Sequence, residues 1–130
     1  MPDYIYVKDT ESRFLLVNKV SSKDLGLTTP DDLVGKTDFD ICPREIAEQY
    51  YADDRTVIES GQPLLNREEP NIHPETGDMR WLLTTKIPFQ DSQGNIAGLV
   101  GISRDITTRL RMEEELRKHR DQLEELVEER

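Results

Sequence analysis

The side chains able to do chemistry are few: Cys42, His73, His119 and the adjacent carboxylates Asp53-Asp54 and Glu68-Glu69. Nucleophilic catalysis would need Cys42 or a serine beside a histidine base. His119, however, falls in a highly charged C-terminal segment, and His73 precedes Pro74 in a turn between strand-like runs. No G-x-S-x-G elbow and no glycine-rich phosphate loop occurs. Glu68 and Glu69 are neighbours in a predicted strand, so they point to opposite faces. Two separated histidines and one cysteine make no zinc set. The reading is a chain with no catalytic constellation and no metal site.

A pocket for a small molecule stands differently. The strands carrying "REEP" and "LTTKIP" are expected to be neighbours, which brings Glu68 or Glu69 near Lys86. Lys86 and a glutamate then line a polar pocket, with Thr85 as a donor. Alternatively they form a cross-strand ion pair on a solvated sheet face, worth under about 1 kcal/mol. Trp81 can stack on a ligand ring or cover the core or a neighbouring helix.

The elements that would position these residues can be traced in order. "DYIYVKD" (Asp3 to Asp9) and "RFLLVN" (Arg13 to Asn18) read as a hairpin closed by "TES". Thr37 and Asp38 are candidate caps for a short helical turn. Pro43 to Gly61 is the clearest internal helix, with proline at its start, glycine at its end, and Ile46, Tyr50, Val57 and Ile58 near one face. Three strands follow, from Gln62, Met79 and Ile96, separated by the turns "HPETGD" and "DSQGN". The order predicts an α+β domain: a five-stranded antiparallel sheet with short helices on one face. Thr107 to Arg130 is a separate helix of about 36 Å. Met112, Leu116, Leu123 and Leu126 fall at its a and d positions, with His119 at the remaining d. Glu113 with Arg117, and Glu114 with Lys118, make i,i+4 pairs outside. A narrow leucine seam flanked by charge predicts a two-stranded coiled coil, hence a homodimer.

The bulk numbers limit the partners and the compartment. The 130 residues are 35% hydrophobic and 34% charged, with a net charge of -10, which argues against nucleic acid or an anionic membrane surface as partner. No run of 18 or more apolar residues and no signal peptide is visible. A lone cysteine fits a reducing cytoplasm. Strand signal from Asp3 onward and a helix still running at "LEELVEER" suggest a piece of a longer chain.

Three segments resemble PAS sensor domains with a PAC-type C-terminal motif. "PDYIYVKDTESRFLLVN" looks like the opening hairpin. "LVGKTDFDICP" resembles the glycine-led turn into the central helices, and "RWLLTTKIPFQDSQGNIAGLVGISRDITTR" the last two strands and the Asp-Ile-Thr junction. The likeness covers residues 2 to about 112, so the expected organisation is a sensor domain over 1–107 and a coiled-coil linker helix over 108–130. It implies a small pocket between helices and sheet, an output module such as a histidine kinase or cyclase downstream, and no catalysis of its own. Asp105, Ile106 and Thr107 resemble the family's signal-relay junction. Alternation and the likeness together give an apolar lining of Val7, Leu16, Leu33, Phe39, Ile41, Val57, Leu83 and Leu99, joined by Glu69, Trp81, Thr85 and Lys86.

The likeness also bears on cofactors. Flavin-adduct members place a cysteine three residues after the turn glycine. Here Asp38 holds that place after Gly35, and Cys42 comes later and is read as filling a small apolar space. Haem-binding members use a histidine on the long helix, and Pro43 to Gly61 has none. No flavin adduct and no haem is expected, and an unidentified small molecule stays open. So does a ligand-free module that only pairs protomers.

Overall fold

The computed structural model describes residues 3–24, 29–73 and 76–128. Its elements are β1 (Tyr4–Asp9), β2 (Phe14–Val17), α1 (Lys19–Asp24), a 3-10 turn (Pro30–Asp32), α2 (Asp38–Ile41), α3 (Arg44–Ser60), β3 (Leu64–Ile72), β4 (Met79–Gln90), β5 (Ile96–Asp105) and α4 (Thr107–Glu128). The strands form one antiparallel sheet in the order β2-β1-β5-β4-β3, which is the expected α+β architecture with a long C-terminal helix. Pro74 and Glu75 of the predicted "HPETGD" turn and the terminal Arg130 lie outside the described residues.

Local chemistry explains the boundaries. In the β1–β2 turn the Asp9 carboxylate accepts the backbone N–H groups of Glu11 (2.8 Å) and Arg13 (3.0 Å). Proline precedes the first turn of α3, where its missing N–H costs nothing. Gly61 closes the helix at φ 69°, a left-handed conformation that favours glycine, and donates its N–H to Val57 C=O. Thr37 donates its N–H to Asp40 Oδ2 (2.9 Å) at the start of α2. Asp38 is not a cap as expected: its side chain turns inward.

The apolar core is small. Phe14, Leu33, Ala47, Val57, Leu82, Leu99 and Ile106 are its buried members, accompanied by buried lysines and aspartates. The inward face of α3 shows why, because Ala47, Asp54 and Val57 are all buried there beside half-buried Tyr50. A carboxylate stands in the middle of an otherwise apolar stripe.

The alternation of β4 assigns its two faces. Arg80, Leu82, Thr84 and Lys86 are buried on the helix side, while Trp81, Leu83 and Thr85 are half-buried on the other. Three residues expected in the cavity are therefore on the wrong face. Both sides of β4 carry apolar residues, so alternation alone does not reveal which side is inward. Val7 likewise lies on the outer face between the inward residues Tyr6 and Lys8, and Leu16 is exposed. At the centre of the sheet the Tyr6 ring lies across Gly101, where any Cβ would collide with it.

Candidate ligand-binding site

Between the helices and the sheet lies a cavity of ≈ 90 Å³. That is room for a compact molecule, well below the several hundred Å³ of drug-sized sites. Aromatic walls come from Tyr4, Tyr6, Phe14 and Tyr50, and apolar ones from Val17, Leu33, Ile41 and Leu82. The polar lining is unusually rich for so small a space, with Lys8, Asp38, Glu69, Asn71, Arg80 and Lys86.

Four of the charged groups form a closed set. Lys8 Nζ donates to Asp38 Oδ2 (2.5 Å) and to Asp54 Oδ2 (2.8 Å), and Lys86 Nζ donates to Asp54 Oδ1 (2.7 Å). The two lysine side chains are each 2% exposed and that of Asp54 is fully buried. Lys8 stands on β1 and Lys86 on β4, with β5 between them, so one carboxylate from α3 fastens the helix to strands on both sides of the sheet centre. Asp38 adds α2 to the same anchor. Buried charges persist only when paired and hydrogen-bonded, and here two ammonium groups meet two carboxylates.

The pairing governs protonation. Burial would raise the Asp54 carboxyl, but Lys8 and Lys86 outweigh it and hold it below its ordinary value. Burial opposes the charge on Lys8 and Lys86, yet their acidic partners, with Tyr6 beside Lys86, hold both above the usual lysine range. Glu69 goes the other way. Burial raises its carboxyl above the ordinary value, opposed only in part by Thr84 donating to Oε1 (2.8 Å) and by the charge of Lys86. Burial and the Asp38 charge push the Cys42 thiol up to about 12, so it is a neutral thiol at the cavity wall. Burial likewise raises the phenols of Tyr6 and Tyr50.

A pH dependence follows from these directions. The Asp54 contribution is present above 3.8 and fades as pH falls through its lower folded value. The lysine contributions are present below 10.5 and fade as pH rises through their higher folded values. Glu69 is folded-state raised, so stability declines as pH rises from 4.5 through its folded value. Glu69→Gln is expected to abolish that decline in urea midpoints collected from pH 4.5 upward. An unchanged slope would show that another group causes it.

A second network continues along the lining. Arg80 Nε donates to Asn71 Oδ1 (2.7 Å), and Asn71 Nδ2 donates to the Tyr50 hydroxyl (2.8 Å). Thr84 also shares a hydrogen bond with Ser103 (2.9 Å). Among the described residues no three metal-ligating side chains come together.

Of the residues expected from sequence, Leu33, Ile41, Glu69 and Lys86 line the cavity. Lys86 forms no cross-strand pair with a glutamate and no solvated one: its partner is Asp54 on α3. Glu68 faces the opposite side, with Arg109 of α4 at 3.7 Å. Phe39 is exposed and meets Tyr51 edge-on with ring centroids 6.0 Å apart, outside the cavity. Val57 and Leu99 are core without lining the space. Trp81, Leu83 and Thr85 belong to the outer face, where Trp81 borders a groove against Leu110 and Arg111 of α4. Lys8, Asp38 and Asp54 were not anticipated. The one hint was Asp54 at a core position of an amphipathic helix.

The relay residues hold the junction between β4, β5 and α4. Ile106 N–H donates to Trp81 C=O (2.9 Å), and Trp81 N–H donates to Thr107 Oγ1 (2.8 Å). Asp105 Oδ1 accepts the N–H of Thr107 (2.9 Å), and Ile106 is buried. Along α4, Met112, Leu116, Leu123 and Leu126 are exposed. The ion pairs found there are Arg109–Glu113 and Arg117–Glu114, in place of the expected i,i+4 pairs.

Comparison with known proteins gives a family model described as the PAS fold, matching residues 1–111. The methanogenesis regulatory histidine kinase FilI of Methanothrix harundinacea is 33% identical over 105 residues, 81% of this chain and 11% of that protein. A diguanylate cyclase of Vibrio cholerae is 31% identical over 114 residues, 87% of this chain and 35% of that one. The chain thus spans a minor part of each curated relative. Among solved structures, VqmA bound to DPO is 33% identical with a TM-score of 0.69, covering 80% of this chain and 52% of that one. A Vibrio cholerae VqmA dimer solved in the absence of its target DNA is 33% identical with a TM-score of 0.71, covering 83% and 48%.

Proposed function

The chain belongs to the PAS fold family, and on that premise we propose that it is the ligand-sensing domain of a larger signalling protein, passing a binding event in its cavity to an output module through α4. A PAS domain is a sensory fold, so the catalysis belongs to the output, for which a histidine kinase or a cyclase is the choice the relatives support. The observation that carries the reading is on β4. Arg80 and Leu82 line the cavity, and the backbone of Trp81 between them holds the start of α4 by two hydrogen bonds, one from the Ile106 N–H and one to the Thr107 hydroxyl. Residues that meet a ligand and the residue that steers the helix are adjacent on one strand, about 3.4 Å apart along it. A ligand acts only by binding two arrangements of that strand with different affinity.

The exposed seam of Met112, Leu116, Leu123 and Leu126 supports a parallel homodimer in which both output modules receive the same bias. The net charge of -10 favours a protein partner over nucleic acid for this domain. No helix among the described residues is long and apolar enough to cross a membrane. The lone cysteine favours a reducing, cytoplasmic setting for the domain. No flavin or haem is required: the ligand is a compact organic molecule. The sensor reading is preferred to a ligand-free pairing module because the cavity is unfilled and sets polar groups among mostly apolar walls.

The test is native mass spectrometry of the purified protein before and after denaturation. Bound mass lost on denaturation supports sensing; a ligand-free spectrum together with unchanged output after the cavity is blocked would replace it with the pairing module. The relay is tested separately. Asp105→Ala in the full-length protein is expected to cost about 1 kcal/mol of stability, the scale of a lost cap, while abolishing the output response. A normal response would remove Asp105 from the relay.

A further inference from the structure

We propose that the cavity takes a compact, uncharged molecule that presents an acceptor oxygen beside a hydrogen-bond donor, the oxygen received by Lys86 and Tyr50 and the donor by Glu69. This rests on the sensing role proposed above and specifies the ligand's chemistry.

The first ground is charge. Around the space stand the cations Lys8, Lys86 and Arg80 and the carboxylates Asp38 and Glu69, with Asp54 fully buried behind the two lysines. The four-membered set of Lys8, Lys86, Asp38 and Asp54 is already neutral. An anion would have to compete with Asp38 or Asp54 for a lysine and would leave a buried carboxylate uncompensated, and a cation at Glu69 would face the charge of Lys86.

The second ground is the unused hydrogen-bonding capacity. An ammonium carries three donors. Lys8 directs hydrogen bonds to two carboxylates, but Lys86 gives only one, to Asp54, and lies 5.3 Å from the centre of the Tyr50 ring. The Tyr50 hydroxyl accepts from Asn71, which leaves its own proton to donate. Both spare donors therefore border one space and call for an oxygen. Glu69 supplies the complement. Its Oε1 accepts from Thr84, and among the described residues Oε2 has no hydrogen-bond partner. Lys86 and Tyr50 each interact electrostatically with Glu69, which fits one ligand spanning all three. Each of these groups has one partner and unused capacity beside it, so a molecule that meets all three together gains hydrogen bonds at every contact. A lactam-like edge, with C=O beside N–H, has the required pattern, and ≈ 90 Å³ admits a single small ring.

The probes are 2-pyrrolidinone, cyclopentanone and acetate, titrated against the protein while its backbone amide NMR signals are followed at Gly101 and Ser103. 2-Pyrrolidinone is expected to shift them saturably. Cyclopentanone has the same ring and oxygen but no N–H, and should bind about tenfold more weakly or worse. Glu69→Ala should reduce 2-pyrrolidinone to the level of cyclopentanone. The wild-type comparison stands alone if that variant does not fold. Equal binding of the two rings, tighter binding of acetate, no saturable shift, or an unaltered preference in Glu69→Ala would each overturn the assignment. None of these outcomes touches the mass measurement, which detects a carried ligand of any class.

Discussion

Asp54→Ala is expected to destabilise the domain by about 3–5 kcal/mol, the cost of stranding a buried ion-pair partner. The carboxylate is fully buried and serves two lysines at once, at 2.7 and 2.8 Å. Without it, Lys86 has no described anion in contact, and Lys8 keeps only Asp38. Asp53, its neighbour in sequence, is the control. Its own side chain is 8% exposed, but it pairs with Arg67, whose side chain is 45% exposed, so Asp53→Ala leaves behind a cation that water reaches and should cost clearly less than Asp54→Ala. Urea unfolding of the two variants measures the difference directly. Similar midpoints for both would mean that the buried set contributes nothing beyond a pair with one exposed partner. A further variant separates attraction from stranding. Asp54→Leu with Lys86→Met removes one charge of each sign, leaves Lys8 with Asp38, and should recover most of the loss.

Gly101→Ala is the variant with the largest expected effect on sensing. Its Cβ would overlap the Tyr6 ring, which lies across β5 and lines the cavity. The ring is the part able to move, and the space beside it is the cavity itself. Overpacking of this kind costs about 1–3 kcal/mol, which most domains survive. Displacement of a phenol into ≈ 90 Å³ leaves no comparable room for a ligand. Ligand occupancy in native mass spectra should disappear while the folded spectrum persists. Full occupancy in Gly101→Ala would place the ligand elsewhere and remove the cavity from the sensing argument.

The strands, the long internal helix and the exit helix were legible because turn chemistry and apolar periodicity agree at each of them. Asp9, Pro43, Gly61 and Asp91 all mark real boundaries. The site was legible only in part. Leu33, Ile41, Glu69 and Lys86 were picked out, but Leu83 was assigned to the cavity because the apolar members of a strand ordinarily face inward, and Trp81 and Thr85 for the stacking and hydrogen bonding they could offer a ligand. In β4 the inward side is the more polar one, with Arg80, Thr84 and Lys86, since each charge or hydroxyl finds a partner there. Asp38 read as a cap and Lys8 drew no role for a related reason: a lone charge ordinarily belongs in water, and the partner of each stands 30 positions away. Asp54 meets Lys86 over 32 positions. Sequence order carries no trace of such meetings, whereas a hairpin is written in a few adjacent residues.

The shared carboxylate of Asp54 also constrains how this domain can change over generations. Lys8, Asp38, Asp54 and Lys86 are neutral only as a group, so a chance replacement of any one leaves a stranded charge, and selection against the intermediate is strong. Descendants cross that barrier by exchanging an acid and a base together, or by first gaining stability elsewhere. Related domains should therefore keep all four positions charged or lose them in opposite-charge pairs, and an orphan lysine at position 8 or 86 should mark a chain whose cavity has acquired a new anion.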